Sequence, residues 1–161
     1  MILFIEWEDN MAYNAYASGY NTYREVGVKT ASQGKLVVML YEGAVSHLSD
    51  AIAMIEDDDK IEPGKIESFG VHIQKVQDII TELQVSLDMD NGGEIAQNLM
   101  ALYIYFNKEI LNAGIKHDKK KLSFVLDLLS QLRDSWVTAA NTQANTTVKM
   151  PENRPTISIT R

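Results

Sequence analysis

The chain has 161 residues, and its 15 basic against 22 acidic side chains give it a net charge of −7. A chain of this length can bury enough apolar surface for one domain with its own core. The acidic balance argues against binding to nucleic acid or to an anionic membrane surface, because both are recognised by basic patches. Cysteine is absent, which excludes disulfides, thiolate catalysis and Cys-ligated metal clusters.

The N-terminal part of the chain predicts an arm rather than a folded element. The apolar run at residues 1–5 is followed by Glu6 and Glu8 and is too short for a signal peptide or a membrane span. Residues 11–29 are rich in tyrosine and have neither a helical nor a strand period. Their rings either pack on the domain as a satellite of its core or cover a partner-binding groove.

A first helix is predicted from Thr30 or Ser32, both good capping residues, to about Glu56. Its main apolar stripe keeps a 4-3-4-3-4 spacing and consists of Val37, Tyr41, Ala44, Leu48, Ala51 and Ile55. A second line of apolar residues, with Leu36 and Leu40, widens this stripe, so the helix should be covered on more than one side. Gly43 lies inside the helix, where it predicts a close approach of a neighbouring helix.

The second helix is predicted near Pro63 to Asp88, after a solvated turn of three aspartates at residues 57–59. These aspartates lack the ligand spacing of a calcium loop. The core-facing seam of the helix follows a 3-4 spacing through Ile66, Phe69, Ile73, Val76, Ile80, Leu83 and Leu87. Ile79 and Val85 lie off this seam and are predicted to be exposed.

A chain reversal is predicted at residues 89–93, where two glycines follow Asp and Asn. Asn91 and Glu94 fit a capping box for a third helix, which Gly114 should end. That helix carries two apolar stripes, so it is either central in its bundle or offers one face to a partner. The first stripe is Ile95, Leu99, Leu102, Phe106 and Ile110, and the second contains Met100, Tyr103, Ile104 and Leu111.

A fourth helix is predicted over about Asp118 to Ala140, and the apolar period is lost after it. Long helices joined by short turns predict an all-α fold, an antiparallel four-helix bundle. We therefore divide the chain into an N-terminal extension with a mobile tyrosine-rich arm (1–29), the bundle (30–140) and a disordered tail (141–161).

Catalytic signatures are missing from this bundle. It contains no Glu-x-x-His pair of the kind that holds two metals in helical bundles, and His47, His72 and His117 lie in different segments without ligand spacing. No phosphate-binding loop follows the glycines at 92–93. The sequence therefore predicts no enzyme, no metal and no cofactor, and a carboxylate-bridged metal enzyme is kept only as a remote alternative.

Within residues 20–136 the sequence resembles the flagellar export chaperone family (FliS). The matching residues agree in order and spacing: Thr30, Ala31, Ser32, Gly34, Leu36 to Tyr41, Gly43, Ala44, Asp78 to Ile80, Glu82, Leu83, Ser86 to Asp88, Gly92 to Ala96, Asn98, Leu99, Leu102, Tyr103, Tyr105, Leu132 to Asp134 and Trp136. The chain departs from the family pattern at Gln33 and Lys35, where Pro and Glu are usual, and at Glu42 and Ile104, where Asp is usual.

The resemblance implies a cytosolic export chaperone that binds the C-terminal helical region of flagellin, prevents its premature polymerisation and keeps it competent for flagellar type III secretion. Export-gate components or a co-chaperone are further partners to test, and we expect a monomer or a weak dimer that neither enters a membrane nor binds nucleic acid. The flagellin-contacting positions carried over from the family are Tyr20, Tyr23, Leu40, Tyr41, Ala44, Ile79, Leu83, Asn98, Leu102 and Tyr105. A structural bundle that self-associates through the same apolar faces is the alternative.

Overall fold

The computed structural model describes the backbone of residues 33–152 and the side chains of residues 33–142. Its four α-helices are α1 (Gln33–Ala53), α2 (Ile66–Ser86), α3 (Gly93–Lys116) and α4 (Lys119–Glu152), and a short 3-10 turn, Pro63–Lys65, precedes α2. Among these residues the only β-type pairing is an isolated bridge between Ile55 and Ile61. The predicted all-α class is confirmed.

Residues 37–136 form one compact unit, and the first turn of α1 and the part of α4 from Val137 onward are grouped with a second. Within residues 37–136 successive helices run antiparallel. In α1 and α2, Gly43 lies opposite Ile79 and His47 lies opposite His72. In α2 and α3, Ile73 lies beside Gly114 and Gln84 beside Met100.

Helix α1 supplies much of the core. Its predicted stripe from Tyr41 to Ile55 is buried, and Tyr41, Ala44, Leu48 and Ala51 have no exposed surface. By length and apolar composition alone α1 could cross a membrane. Tyr41, however, contacts Tyr103 of α3 and Trp136 of α4, and Gly43 faces α2. Packing on three other helices therefore accounts for the apolar composition of α1.

Gly43 marks the close contact between α1 and α2. A Cβ atom at this position would lie 3.2 Å from Cδ1 of Ile79. The glycine thus makes room for the Ile79 side chain. The buried apolar contact of Ile79 offsets the lower helix propensity of glycine. The predicted close helix approach is confirmed.

Two of the three aspartates between α1 and α2, Asp57 and Asp59, tie this connection to the start of α4. Asp59 Oδ1 accepts the backbone N–H of Lys119 at 3.3 Å, and an Asp57 oxygen lies 3.5 Å from Lys119 Nζ. Asp118 Oδ1 accepts the backbone N–H of Lys121 at 3.1 Å. The acidic side chains therefore satisfy free N–H groups at the positive end of α4.

The turn between α2 and α3 is held by Asp88, and the predicted capping box of Asn91 and Glu94 is wrong. Asp88 Oδ1 accepts the backbone N–H groups of Asp90 and Asn91 at 3.2 and 3.0 Å, and its Oδ2 accepts Asn91 Nδ2 at 3.1 Å. The Asn91 side chain is thus used within the turn. The residue at the N-cap position of α3 is Gly92, which has no side chain to cap with, and Gly93 turns the chain with a φ of 58°.

The prediction that Gly114 ends α3 is wrong, because the helix continues to Lys116. The residue in the left-handed conformation that terminates the helix is His117, with a φ of 55°. A Cβ at Gly114 would lie 3.3 Å from Cγ2 of Ile73. Gly114 therefore serves the contact between α2 and α3, a role that the sequence alone does not distinguish from a helix stop.

Helix α4 extends beyond Ala140 to Glu152. The predicted end at Ala140 is wrong, because the loss of the apolar period marks the end of burial and not of the helix: an established helix gains one hydrogen bond for each residue it adds. No glycine or proline occurs between Gly114 and Pro151, so a strong helix breaker is first met close to the observed end. Residues 1–32, with the predicted arm and the helix caps Thr30 and Ser32, and residues 153–161 of the predicted tail lie outside the described residues.

Candidate functional site

Three aromatic side chains meet between α1, α3 and α4, and we call Tyr41, Tyr103 and Trp136 the aromatic cluster. The Tyr41 and Tyr103 hydroxyls share a hydrogen bond, and their ring centroids are 6.4 Å apart. The Tyr41 ring stacks on Trp136 with centroids 6.5 Å apart and an interplanar angle of 26°. Burial is the main cause that raises the pKa of both tyrosines above the ordinary value, so both phenols stay protonated at neutral pH.

The predicted contact positions on α1 and α2 all lie in the core. Leu40, Tyr41, Ala44, Ile79 and Leu83 are each buried, with relative exposures between 0% and 5%. Ile79, predicted to be exposed, is instead buried against Gly43, because it faces α1 rather than solvent. Val85, the other residue off the seam of α2, is 59% exposed, as predicted.

The predicted contact positions on α3 do form an accessible strip. Asn98 and Tyr105 are exposed, and Leu102 is partly exposed. Their spacing of four and then three residues places them on one side of the helix. Glu109, four residues after Tyr105, reaches Lys121 of α4 at 4.0 Å. We call Asn98, Leu102 and Tyr105 the α4-side strip.

A second and more apolar strip runs along the opposite flank of α3. Ile104, Leu111 and Ile115 are 54%, 49% and 73% exposed, and their spacing of seven and four residues aligns them on one helix face. The sequence showed Ile104 and Leu111 as part of a second apolar stripe but not which way that stripe faces. We call Ile104, Leu111 and Ile115 the α2-side strip.

A group of amides and a hydroxyl borders the α2-side strip. Asn107 lies between Ile104 and Leu111 in the helical repeat, and its Nδ2 is 3.4 Å from Thr81 Oγ1 and 3.3 Å from Gln84 Oε1 of α2. Among the described side chains, Asn107 Oδ1 is buried without a hydrogen-bond partner. The α2-side strip thus combines apolar surface with polar groups along the seam between α2 and α3, a composition that suits recognition of an amphipathic helix.

Asp78 of α2 is a half-buried carboxyl group. It accepts a hydrogen bond from Gln74 Nε2 at 2.8 Å. Burial raises its pKa from 3.8 to about 6, and the bond from Gln74 opposes that rise only in part. Because the folded chain holds this proton up to a higher pH than the unfolded chain, the group stabilises the fold at low pH. That contribution is lost as the pH rises from about 4 to about 6.

We therefore expect Asp78→Asn to stabilise the protein at pH 7, where the wild-type carboxylate is charged and partly desolvated. The expected gain is about 1 kcal/mol, since the side chain is only half-buried and solvent screens much of the shift. Urea denaturation of both proteins at pH 7 and pH 4 measures it, and the gain should vanish at pH 4. Gln74→Ala removes the hydrogen-bond donor and should destabilise at pH 7. An equal effect of Asp78→Asn at both pH values would contradict the assignment.

Two histidines that are distant in sequence meet between α1 and α2. His47 Nδ1 and His72 Nδ1 are 3.0 Å apart, and the ring centroids are 5.2 Å apart. Asp50, one turn after His47, lies beside them. Burial lowers the pKa of His47, and the nearby Lys75 and His72 lower it further. The two histidines lie in different segments of the sequence without ligand spacing, but the antiparallel packing of α1 and α2 brings them to the same level.

Tyr20 and Tyr23, the predicted contacts in the arm, lie outside the described residues, and their roles stay predictions. The described residues define a helical bundle in which two strips of the third helix are exposed. Such a surface suits a small protein-binding module.

Comparison with known proteins identifies the family. Residues 16–143 match the family described as Flagellar protein FliS. The flagellar secretion chaperone FliS of Salmonella typhimurium is 35% identical over 124 residues, which cover 74% of this chain and 88% of the relative. The Bacillus subtilis chaperone of the same name is 30% identical over 129 residues, covering 80% of this chain and 91% of the relative. The chain belongs to the FliS family of flagellar export chaperones.

Proposed function

We propose that this protein binds the C-terminal helical segment of flagellin and keeps flagellin from polymerising before export. The observation that carries this proposal is the pair of exposed strips on α3 in a member of a family of secretion chaperones. A flagellin segment that is disordered when free must bury its apolar side chains on some surface, and coupled folding on an apolar helix face achieves this.

In this proposal the α2-side strip takes the apolar face of one client helix. Ile104, Leu111 and Ile115 supply the buried contact, and the polar groups at Thr81, Gln84 and Asn107 set the register of the client. The α4-side strip, with Asn98, Leu102 and Tyr105, lies on the other flank of α3 and takes a further part of the client, as a segment that wraps around the bundle would require.

The buried positions Leu40, Tyr41, Ala44, Ile79 and Leu83 have a different role in this proposal. They hold together the helices that present the strips, because other helices of the bundle cover them. Tyr20 and Tyr23 of the N-terminal arm are proposed to contact the client directly. Any export-gate component or co-chaperone would act on surfaces that the client leaves free.

The protein acts by binding in this proposal, without catalysis, and it acts in the cytosol, because its client must be captured before export. Seeded polymerisation of purified flagellin tests the proposal. An equimolar amount of this protein should stop filament elongation, and removal of the C-terminal helical segment from flagellin should abolish complex formation on size-exclusion chromatography. Unchanged elongation at a molar excess of this protein would contradict the proposal and favour the self-associating bundle.

A further inference from the structure

The cluster of His47, Asp50 and His72 lies outside both strips and has no part in the proposed function. His47 and Asp50 belong to α1, and His72 belongs to α2. One ligand atom from each of the three side chains lies within 4.8 Å of the others. The histidines are partly exposed and the aspartate is exposed, so an ion from solvent can reach all three.

The geometry matches the requirements of a transition-metal ion. Two imidazole nitrogens bound to one tetrahedral Zn²⁺ at 2.0–2.1 Å lie about 3.3 Å apart. The Nδ1 atoms of His47 and His72 share a hydrogen bond at 3.0 Å, and a small rotation of the rings would replace this bond with a bond from each nitrogen to one ion. Asp50 follows His47 by three residues, the spacing that places two side chains on one helix face. Imidazole with carboxylate is a ligand set that suits Zn²⁺.

We propose that His47, Asp50 and His72 bind one divalent transition-metal ion, with Zn²⁺ as the representative ion, and that the ion links α1 to α2. Three protein ligands leave a coordination position for water. An ion that binds the folded chain in preference to the unfolded chain stabilises the fold in proportion to its occupancy. The bound ion would add a second connection between α1 and α2, one to two helical turns from the contact of Gly43 with Ile79.

Lys75 supplies an internal check on this assignment. Its positive charge acts on His47 and therefore opposes a bound cation. The Lys75 side chain is exposed, so its replacement should leave the fold intact. Lys75→Gln should tighten Zn²⁺ binding, whereas Asp50→Asn, at a second exposed position, should weaken it.

Calorimetric titration of the tag-free, chelator-treated full chain with ZnCl₂ tests the site. We expect one ion per chain, a higher thermal midpoint with Zn²⁺, and at least about a tenfold loss of affinity in each of His47→Ala, His72→Ala and Asp50→Asn. His117→Gln is the matched control, because it removes an imidazole outside the cluster, and it should bind Zn²⁺ as the wild type does.

Three results would overturn the proposal. The first is the absence of a stoichiometric site in the wild type. The second is Zn²⁺ binding that survives in the His47→Ala/His72→Ala double variant, which would place the ion elsewhere in the chain. The third result applies if the histidine variants lose helix by circular dichroism. In that case the variants at the exposed positions, Lys75→Gln and Asp50→Asn, decide, and equal Zn²⁺ affinity in these two variants would contradict the site.

Discussion

Leu111→Asp should weaken binding of the flagellin C-terminal peptide at least about 30-fold while leaving the bundle folded. Leu111 is 49% exposed at the middle of the α2-side strip, between Ile104 and Ile115. Burial of a leucine side chain contributes about 1.5–3 kcal/mol, and an aspartate in its place must also lose its hydration under the client helix. About 1.4 kcal/mol corresponds to a tenfold change in affinity, so the loss is readily measured by titration calorimetry.

Val71→Asp is the matched control for Leu111→Asp. Val71 of α2 is 47% exposed, and its replacement introduces the same charge on another apolar surface position. We expect this variant to bind the peptide within about threefold of the wild type, because exposed substitutions outside the contact change stability and binding little. Equal losses in the two variants would show that added negative charge, and not the α2-side strip, governs affinity.

Tyr41→Ala should destabilise the fold by about 3–5 kcal/mol. Tyr41 has no exposed surface, stacks on Trp136 and shares a hydrogen bond with Tyr103. Removing the ring leaves a cavity between three helices and deprives the buried Tyr103 hydroxyl of its partner. Urea denaturation measures the loss, which is a large part of the 5–15 kcal/mol typical of a domain. Tyr105→Ala, at a 38% exposed position on α3, should cost much less.

The hydrogen bond can be separated from the packing by a double-mutant cycle. Tyr41→Phe keeps the ring but leaves the Tyr103 hydroxyl unpaired, which should cost about 1–3 kcal/mol, and Tyr103→Phe should cost a similar amount. The double variant should be more stable than the sum of the single losses predicts, because both polar groups are then gone. Strict additivity would mean that the two hydroxyls do not interact in the folded protein.

The helices follow from the sequence because their apolar periods are long and regular. The stripe from Tyr41 to Ile55 and most of the predicted seam of α2, from Phe69 to Leu83, are buried as predicted, whereas Ile66 at the start of that seam is 47% exposed. Helix ends were harder to predict, since one residue type serves several roles. Gly114 is a packing residue rather than a stop, Asn91 bonds to Asp88 rather than capping α3, and α4 continues after its apolar period has ended.

The candidate site was only partly predictable, for a related reason. A helical period shows that a helix has two apolar faces but not which of them the other helices cover. Ile79 is covered because Gly43 admits it, while Leu111, on a helix of similar composition, stays half-exposed. The meeting of His47 and His72 depends on the pairing level of α1 and α2, which no local pattern encodes.

Calorimetric titration of this protein with a synthetic peptide of the flagellin C-terminal helical region, followed by circular dichroism of the mixture, tests the central claim most directly. We predict one peptide per chain, a gain in helix and a negative heat-capacity change, which together indicate folding of the client on an apolar surface. Absence of heat and of helix gain with intact peptide and protein would contradict client binding. The helical bundle would stand, and its exposed strips would then be best explained by self-association.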